Sequence, residues 1–293
     1  MQRKPIFFPL LIFVQLSLSL ILFVHVHAQD KRSSTAAPQL IKRTIIKRDS
    51  TRIGYGSTVT LVGAPEGSIS VEGWSRSELE LTAEIELQAE NEADLDGLAL
   101  VNGFIFEERM NHARILTIGT HDQKYLKRVA KNFPKKLLNL PWKIDYRIRV
   151  PEACDLEINA GRGPITIKGV DGSLALTATE SIAALALTSG GVNVTIGSGK
   201  LDVKIPVRSW RGSGADLKLA VGEMTVELPA GFNGEMDATI LRSGKINDSF
   251  GELEPLERNS ITPQLVRARA GAGGAAFRFT VADGTITIKK IGL

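Results

Sequence analysis

The chain is poor in the residues from which chemistry is usually built. It has one cysteine, Cys154, so no internal disulfide can form and stability must come from packing. Only two histidines, His112 and His121, lie beyond the first 28 residues. They stand nine residues apart with no cysteine or carboxylate cluster beside them, which is not a zinc spacing. His121-Asp122 would need a serine to complete a triad, and no Gly-x-Ser-x-Gly elbow exists. Gly197-Ser198-Gly199-Lys200 has neither the spacing nor the following Ser or Thr of a phosphate loop, and reads better as a strand corner. Aromatics make up 6%, and the net charge of +4 falls to about +2 once Arg3 and Lys4 are set aside, too mild to imply a nucleic-acid partner. The sequence calls for no cofactor and no metal.

What is present begins with a leader. Arg3 and Lys4 precede an apolar run from Ile6 to Val24, and Val26-His27-Ala28 offers a cleavage point before Gln29. An uncleaved membrane anchor is the alternative, since the run approaches the roughly 20 residues that span a bilayer; Pro5, Pro9 and Ala28 favour removal. No later segment is long and apolar enough to cross a membrane, and no cysteine follows the run to carry a lipid. Residues 29–50, with Ser33, Ser34, Pro38 and the basic pairs Lys42-Arg43 and Lys47-Arg48, read as a linker or a loosely attached first strand.

From Thr58 the period becomes two. Val59 and Leu61, then Ile69 and Val71, then Leu79, Leu81, Ala83, Ile85 and Leu87 alternate with polar residues, as half-buried strands do. Ala93, Leu95, Leu98 and Val101 instead fall near helical spacing, which predicts a short helix within 90–101. Two more strands are expected near Phe104–Glu107 and Arg114–Ile118. Cys154 shares a face with Leu156 and Ile158 and is expected to be a buried, inert thiol.

The second half repeats itself. Ile165-Thr-Ile167, Leu174-Ala-Leu176, Leu185-Ala-Leu187, Val192-Asn-Val194, Leu201-Asp-Val203, Leu217-Lys-Leu219 and Met224-Thr-Val226 recur at about nine residues, with glycines such as Gly163, Gly199 and Gly222 between them. A sandwich of hairpins would pair such units antiparallel; a β-solenoid would stack them on one aliphatic core. The recurring Gly-x-aliphatic-x-aliphatic unit favours the solenoid. The run Ile148-Arg-Val150-Pro151, the stretch Leu156 to Gly172, Gly67-Ser-Ile69-Ser-Val71-Glu-Gly73-Trp74 and the ending Gly284-Thr-Ile286-Thr-Ile288 resemble the "putative adhesin" domain of bacterial exported proteins. That resemblance runs from about Thr58 to Leu293. It implies a right-handed parallel β-helix, placed in the periplasm or on the cell surface, with adhesion suggested and no catalytic residues to carry over. The longer corner at Arg208–Gly214 and the basic insertion at Gln123–Pro141 depart from the family pattern.

That insertion is the most unusual surface. Lys124, Lys127, Arg128, Lys131, Lys135 and Lys136 stand against the single acid Asp122, with Tyr125, Phe133 and Trp142 interleaved. Cations beside aromatic rings suit an anionic polymer or lipid headgroup. The plainer reading is a lateral cap in which Tyr125, Leu126, Val129 and Phe133 cover the core while the lysines stay wet. Glu180, Asp202, Asp216, Glu223 and Glu227 fall in different repeats and make no acidic column for glycan cleavage. The expectation is therefore an all-β chain with a signal peptide over 1–28, a linker over 29–50 and a β-solenoid over 51–293, interrupted by a short helix near its N-terminal part. Its expected role is a non-enzymatic, rigid scaffold for adhesion or interaction in the cell envelope, binding envelope polysaccharide, lipid headgroups or another envelope protein. A periplasmic partner in envelope-stress signalling is the alternative, and a glycan-active enzyme a third class.

Overall fold

The computed structural model describes residues 40–292, so the expected leader and the first part of the expected linker lie outside the described residues. Residues 41–50, which the sequence allows as linker or first strand, belong to β1 (Ile41–Thr51). Charged side chains on both of its faces hide the alternation. The chain continues through β2 (Ser57–Glu66), β3 (Ile69–Trp74) and β4 (Leu79–Ala89) to α1 (Glu92–Val101). In β4, Leu79, Leu81, Ala83, Ile85, Leu87 and Ala89 are all buried while the residues between them are not, the period-two pattern taken to completion. The expected helix forms: Asn91 caps it by accepting from the Asp94 N–H, and Leu95, Leu98 and Val101 face inward. The expected strand pair follows as the antiparallel hairpin β5 (Gly103–Arg109) and β6 (His112–Ile118), turned at Asn111 with φ of 57°.

The basic insertion is not an open loop. It holds α2 (Gln123–Val129) and a 3-10 turn over Lys135–Leu137 before β7 (Trp142–Pro151). Then come β8 (Cys154–Arg162), β9 (Ile165–Val170) and four long strands, β10 (Leu174–Leu187), β11 (Ser189–Lys204), β12 (Arg211–Leu228) and β13 (Gly234–Ser249). Short β14 (Leu253–Pro255) and β15 (Leu265–Ala270) precede the last, β16 (Ala276–Lys290). At 66% strand and 8% helix the chain is all-β.

β10, β11 and β12 each join two of the repeat units through a bend. The first half of β10 pairs in parallel with β8, Leu174 beside Leu156, and its second half with β9, Ala183 beside Ile165. Neighbouring rungs in this region lie 18 residues apart, as the Ser181 hydroxyl donating to the Gly163 carbonyl at 2.8 Å shows. Parallel pairing continues in register from β10 to β11 and β12, so the aliphatic residues of successive rungs meet in one core. The bends stack too. Gly222 has φ of +139°, and a Cβ on it would lie 1.9 Å from the Gly199 carbonyl oxygen; Gly284 stands in the same relation to Gly222, at 1.8 Å. Only glycine fits where backbone lies this close to backbone.

The all-β expectation holds, and the pairing departs from a purely parallel solenoid in two ways. The sheet is mixed: β1–β4–β7 and β5–β6 at one end, and β13–β15–β14 at the other, pair antiparallel. Alternation assigns a residue to a face but does not say which strand lies alongside, or in which direction. The rungs also do not simply stack in chain order. β2 lies between β6 and β8, β3 between β7 and β9, and the C-terminal β16 between β12 and β13.

Candidate binding surfaces

The segment 119–142 rises between β6 and β7. Its helix α2 starts at Asp122, whose Oδ1 accepts the Lys124 and Tyr125 N–H groups at 2.9 and 3.0 Å. Leu126 and Leu137 are buried and Phe133 packs against the core, so the segment does cap the apolar interior. Its cations stay outside. Lys124, Lys127, Arg128, Lys131 and Lys135 are exposed and make no ion pair among the described residues. Lys127 and Arg128 sit in the last turn of α2, where the helix dipole favours them, and the Arg128 guanidinium lies 5.9 Å from the Tyr125 ring.

Two of the candidate residues, Lys136 and Trp142, are drawn elsewhere. Lys136 is bound to Asp94 of α1 at 2.8 Å, and Asn91 Nδ2 also donates to that carboxylate at 3.0 Å. Trp142 is half-buried at the start of β7 with its ring 5.4 Å from that of His121. Partial desolvation of its ring pulls the His121 imidazole below its ordinary pKa, opposed by the charge of Asp122 and by a backbone contact at Gly63. Trp142 and His121 line a groove of about 480 Å³ together with Glu66, Asn139 and Arg162. The structure thus separates a cationic helix from an aromatic groove.

The other candidate groups resolve into structural roles. His112 Nε2 meets the Thr60 hydroxyl at 2.9 Å, and that hydroxyl donates to Glu157 at 2.9 Å, so the two histidines have different neighbours. No cluster of three or more His, Cys, Asp or Glu able to hold a metal occurs among the described residues. Glu180, Asp202, Asp216 and Glu227 each face a cation: Arg162 at 3.6 Å, Lys200 at 2.8 Å, Lys218 at 2.8 Å and Lys289 at 3.0 Å. Gly199 forms a bend with φ of +125°, which accounts for the Gly-Ser-Gly-Lys run. Cys154 is 1% exposed, and burial pushes its thiol up to about 12. One surface escaped sequence reasoning altogether: a groove of about 440 Å³ over Ala184 and Ala186, flanked by Lys168, Lys200 and Lys204. Its residues come from separate repeats and are gathered only by strand register.

No family model matches the sequence, and no curated protein matches it either. Among solved structures, the chain is similar to a "putative cell adhesion protein" from Clostridium sporogenes at 14% identity and a TM-score of 0.41, over 84% of this chain and 100% of that one. A "putative adhesin" from Bacteroides fragilis matches at 11% identity and a TM-score of 0.37, over 87% and 98%. A "putative lipid binding protein" from Parabacteroides distasonis matches at 10% identity and a TM-score of 0.22, over 84% and 96%. None of the three superimposes closely enough to transfer a function to this chain.

Proposed function

We propose that the chain is an exported, non-enzymatic protein of the cell envelope, periplasmic or surface-exposed, whose rungs form a right-handed parallel β-helix serving as a rigid scaffold for adhesion or interaction. Residues 1–28 act as a cleaved signal peptide, with Arg3 and Lys4 ahead of the apolar run. The β-helix reading draws on the in-register parallel pairing of β10, β11 and β12 and on the stacked glycine bends. One observation carries the interaction role: Lys124, Lys127, Arg128, Lys131 and Lys135 are exposed, make no ion pair among the described residues, and belong to a segment anchored by Leu126 and Leu137. A structural cap needs the anchors but not the unpaired charge. Anionic envelope polysaccharide or lipid headgroups supply the missing counter-charge.

Replacing Lys124, Lys127, Arg128, Lys131 and Lys135 with Gln, and leaving Lys136 on Asp94, tests this directly. Binding to lipopolysaccharide or cell-wall polymer should fall at least tenfold and become less salt-sensitive; unchanged binding would sink the assignment. Among the described residues β1 pairs only with β4, and its other edge favours a second reading in which another envelope protein adds a strand there. Protease shaving of intact cells distinguishes the two locations, since it cuts a surface adhesin and spares a periplasmic partner.

A further inference from the structure

One outward column of side chains alternates in charge from strand to strand. It runs Glu80 on β4, Arg149 on β7, Glu72 on β3 and Lys168 on β9, and resumes with Lys204 on β11, Glu227 on β12 and Lys289 on β16. Ion pairs close along it: Arg149 to Glu80 at 3.5 Å, Lys168 to Glu72 at 3.0 Å, and Lys289 to Glu227 at 3.0 Å. Beyond its ends stand the uncharged Ser50 on β1 and Ser249 on β13, and between Glu80 and Lys289 the alternation fails once, on β10. There Ala186 lies in register with Lys204 and opposite the irregularity that follows Ile167 on β9, so two lysines flank a methyl group where the order of signs calls for an acid. Lys204 is exposed and makes no ion pair among the described residues. Strands are spaced about 4.8 Å apart, which puts the roots of Lys168 and Lys204 about 10 Å apart, and their long side chains can converge on one anion between them.

The vacancy is roomy and its other charges are matched. The groove over Ala186 measures about 440 Å³, within the range of small-molecule sites and far more than a bare ion needs. The carboxylates on its wall, Asp202 and Glu227, are taken up by Lys200 at 2.8 Å and Lys289 at 3.0 Å. Its floor is the methyl groups of Ala184 and Ala186, with Thr166 and Thr225 at its sides. We propose that this groove binds an acidic saccharide, whose carboxylate takes the place left empty at Ala186 between Lys168 and Lys204. The sugar ring lies on the two alanines, with its hydroxyls toward Thr166 and Thr225. The site is separate from the α2 surface and stands or falls without it.

Calorimetry with tetragalacturonate, a neutral tetrasaccharide of galactose and inorganic phosphate tests the site. Tetragalacturonate should bind in low salt, and K204Q should weaken it about tenfold, the loss of one charged hydrogen bond. A186E supplies the missing acid: it should abolish binding while melting at or above the wild-type temperature, because it completes the column. The variant stripped of the α2 cations should retain uronate binding, which separates this site from the surface proposed above. Equal binding of the neutral tetrasaccharide, phosphate binding as tight as the uronate's, or undiminished binding by a folded A186E would each overturn the proposal.

Discussion

At Cys154 a single buried thiol makes stability depend on pH. Its Sγ lies 3.4 Å from the Asp155 carbonyl, and burial, helped by the nearby Asp155 charge, moves its pKa from 9.0 to about 12. Between those values the unfolded chain loses the proton and the folded chain keeps it. Stability is therefore whole below pH 9 and falls as pH rises toward 12, by about 1.4 kcal/mol per pH unit. Tyr146, buried and bonded to Thr117 at 2.8 Å, has its phenol raised above 10.0 as well and adds a decline of the same sign at higher pH. C154A should flatten the loss between pH 9 and 10 in urea titrations; an unchanged slope would assign it elsewhere. Below pH 9 the native thiol should also resist alkylation until denaturant is added. Backbone geometry supplies a second residue-scale prediction. G222A drives a Cβ to 1.9 Å from the Gly199 carbonyl oxygen and should cost more than about 2 kcal/mol. G231A, with φ of +69° and open space around it, should cost only about 1 kcal/mol by the same measurement.

Among the elements, α1 and the 3-10 turn are tied together through one cap. Asn91 accepts from the Asp94 N–H at 2.9 Å, and the Asp94 side chain in turn holds Lys136 at 2.8 Å. N91A should cost about 1 kcal/mol and, because Asp94 loses its second partner, should speed amide exchange in both α1 and residues 135–137 while leaving β10–β12 unchanged. Exchange confined to α1 would show that the cap does not reach the turn. This pair also shows what the sequence discloses at element scale. Leu95, Leu98 and Val101 repeat at helical spacing and announce α1, whereas α2 spans seven residues with only Leu126 buried, too short for a period to appear. Its one local signal is Asp122 at the capping position. The alternating rungs of β10 to β12 declare their inward faces in the same way. The uronate groove could not be read, because Lys168, Ala186 and Lys204 become neighbours only when register aligns β9, β10 and β11.

At the scale of the whole molecule, interleaved rungs decide how the fold is secured. With no disulfide, one apolar core runs from Ile53 to Ile288. β2 and β3 are inserted among later strands, and β16 is inserted between β12 and β13, so segments far apart in the chain are held in the interior of the ladder. β13 cannot complete its pairing until β16, the last strand, arrives, a long-range closure that should make folding slow for the chain's size. Its weight can be judged from what it buries: Phe277, Phe279, Val281, Ile286 and Ile288 are each 1% exposed or less. At about 1.5–3 kcal/mol apiece their burial is worth on the order of 10 kcal/mol, comparable to the whole stability of a typical domain. Ending the chain at residue 275 would also leave facing edges of β12 and β13 without partners, and such edges aggregate. That truncation should abolish the cooperative urea transition of the entire ladder. Removing β1, residues 41–51, takes away a strand at the edge of the described sheet whose side chains are mostly exposed, and the ladder should still unfold in a single transition. If the chain ending at 275 melted as the intact protein does, β16 would be an ornament on a finished ladder rather than the rung that closes it.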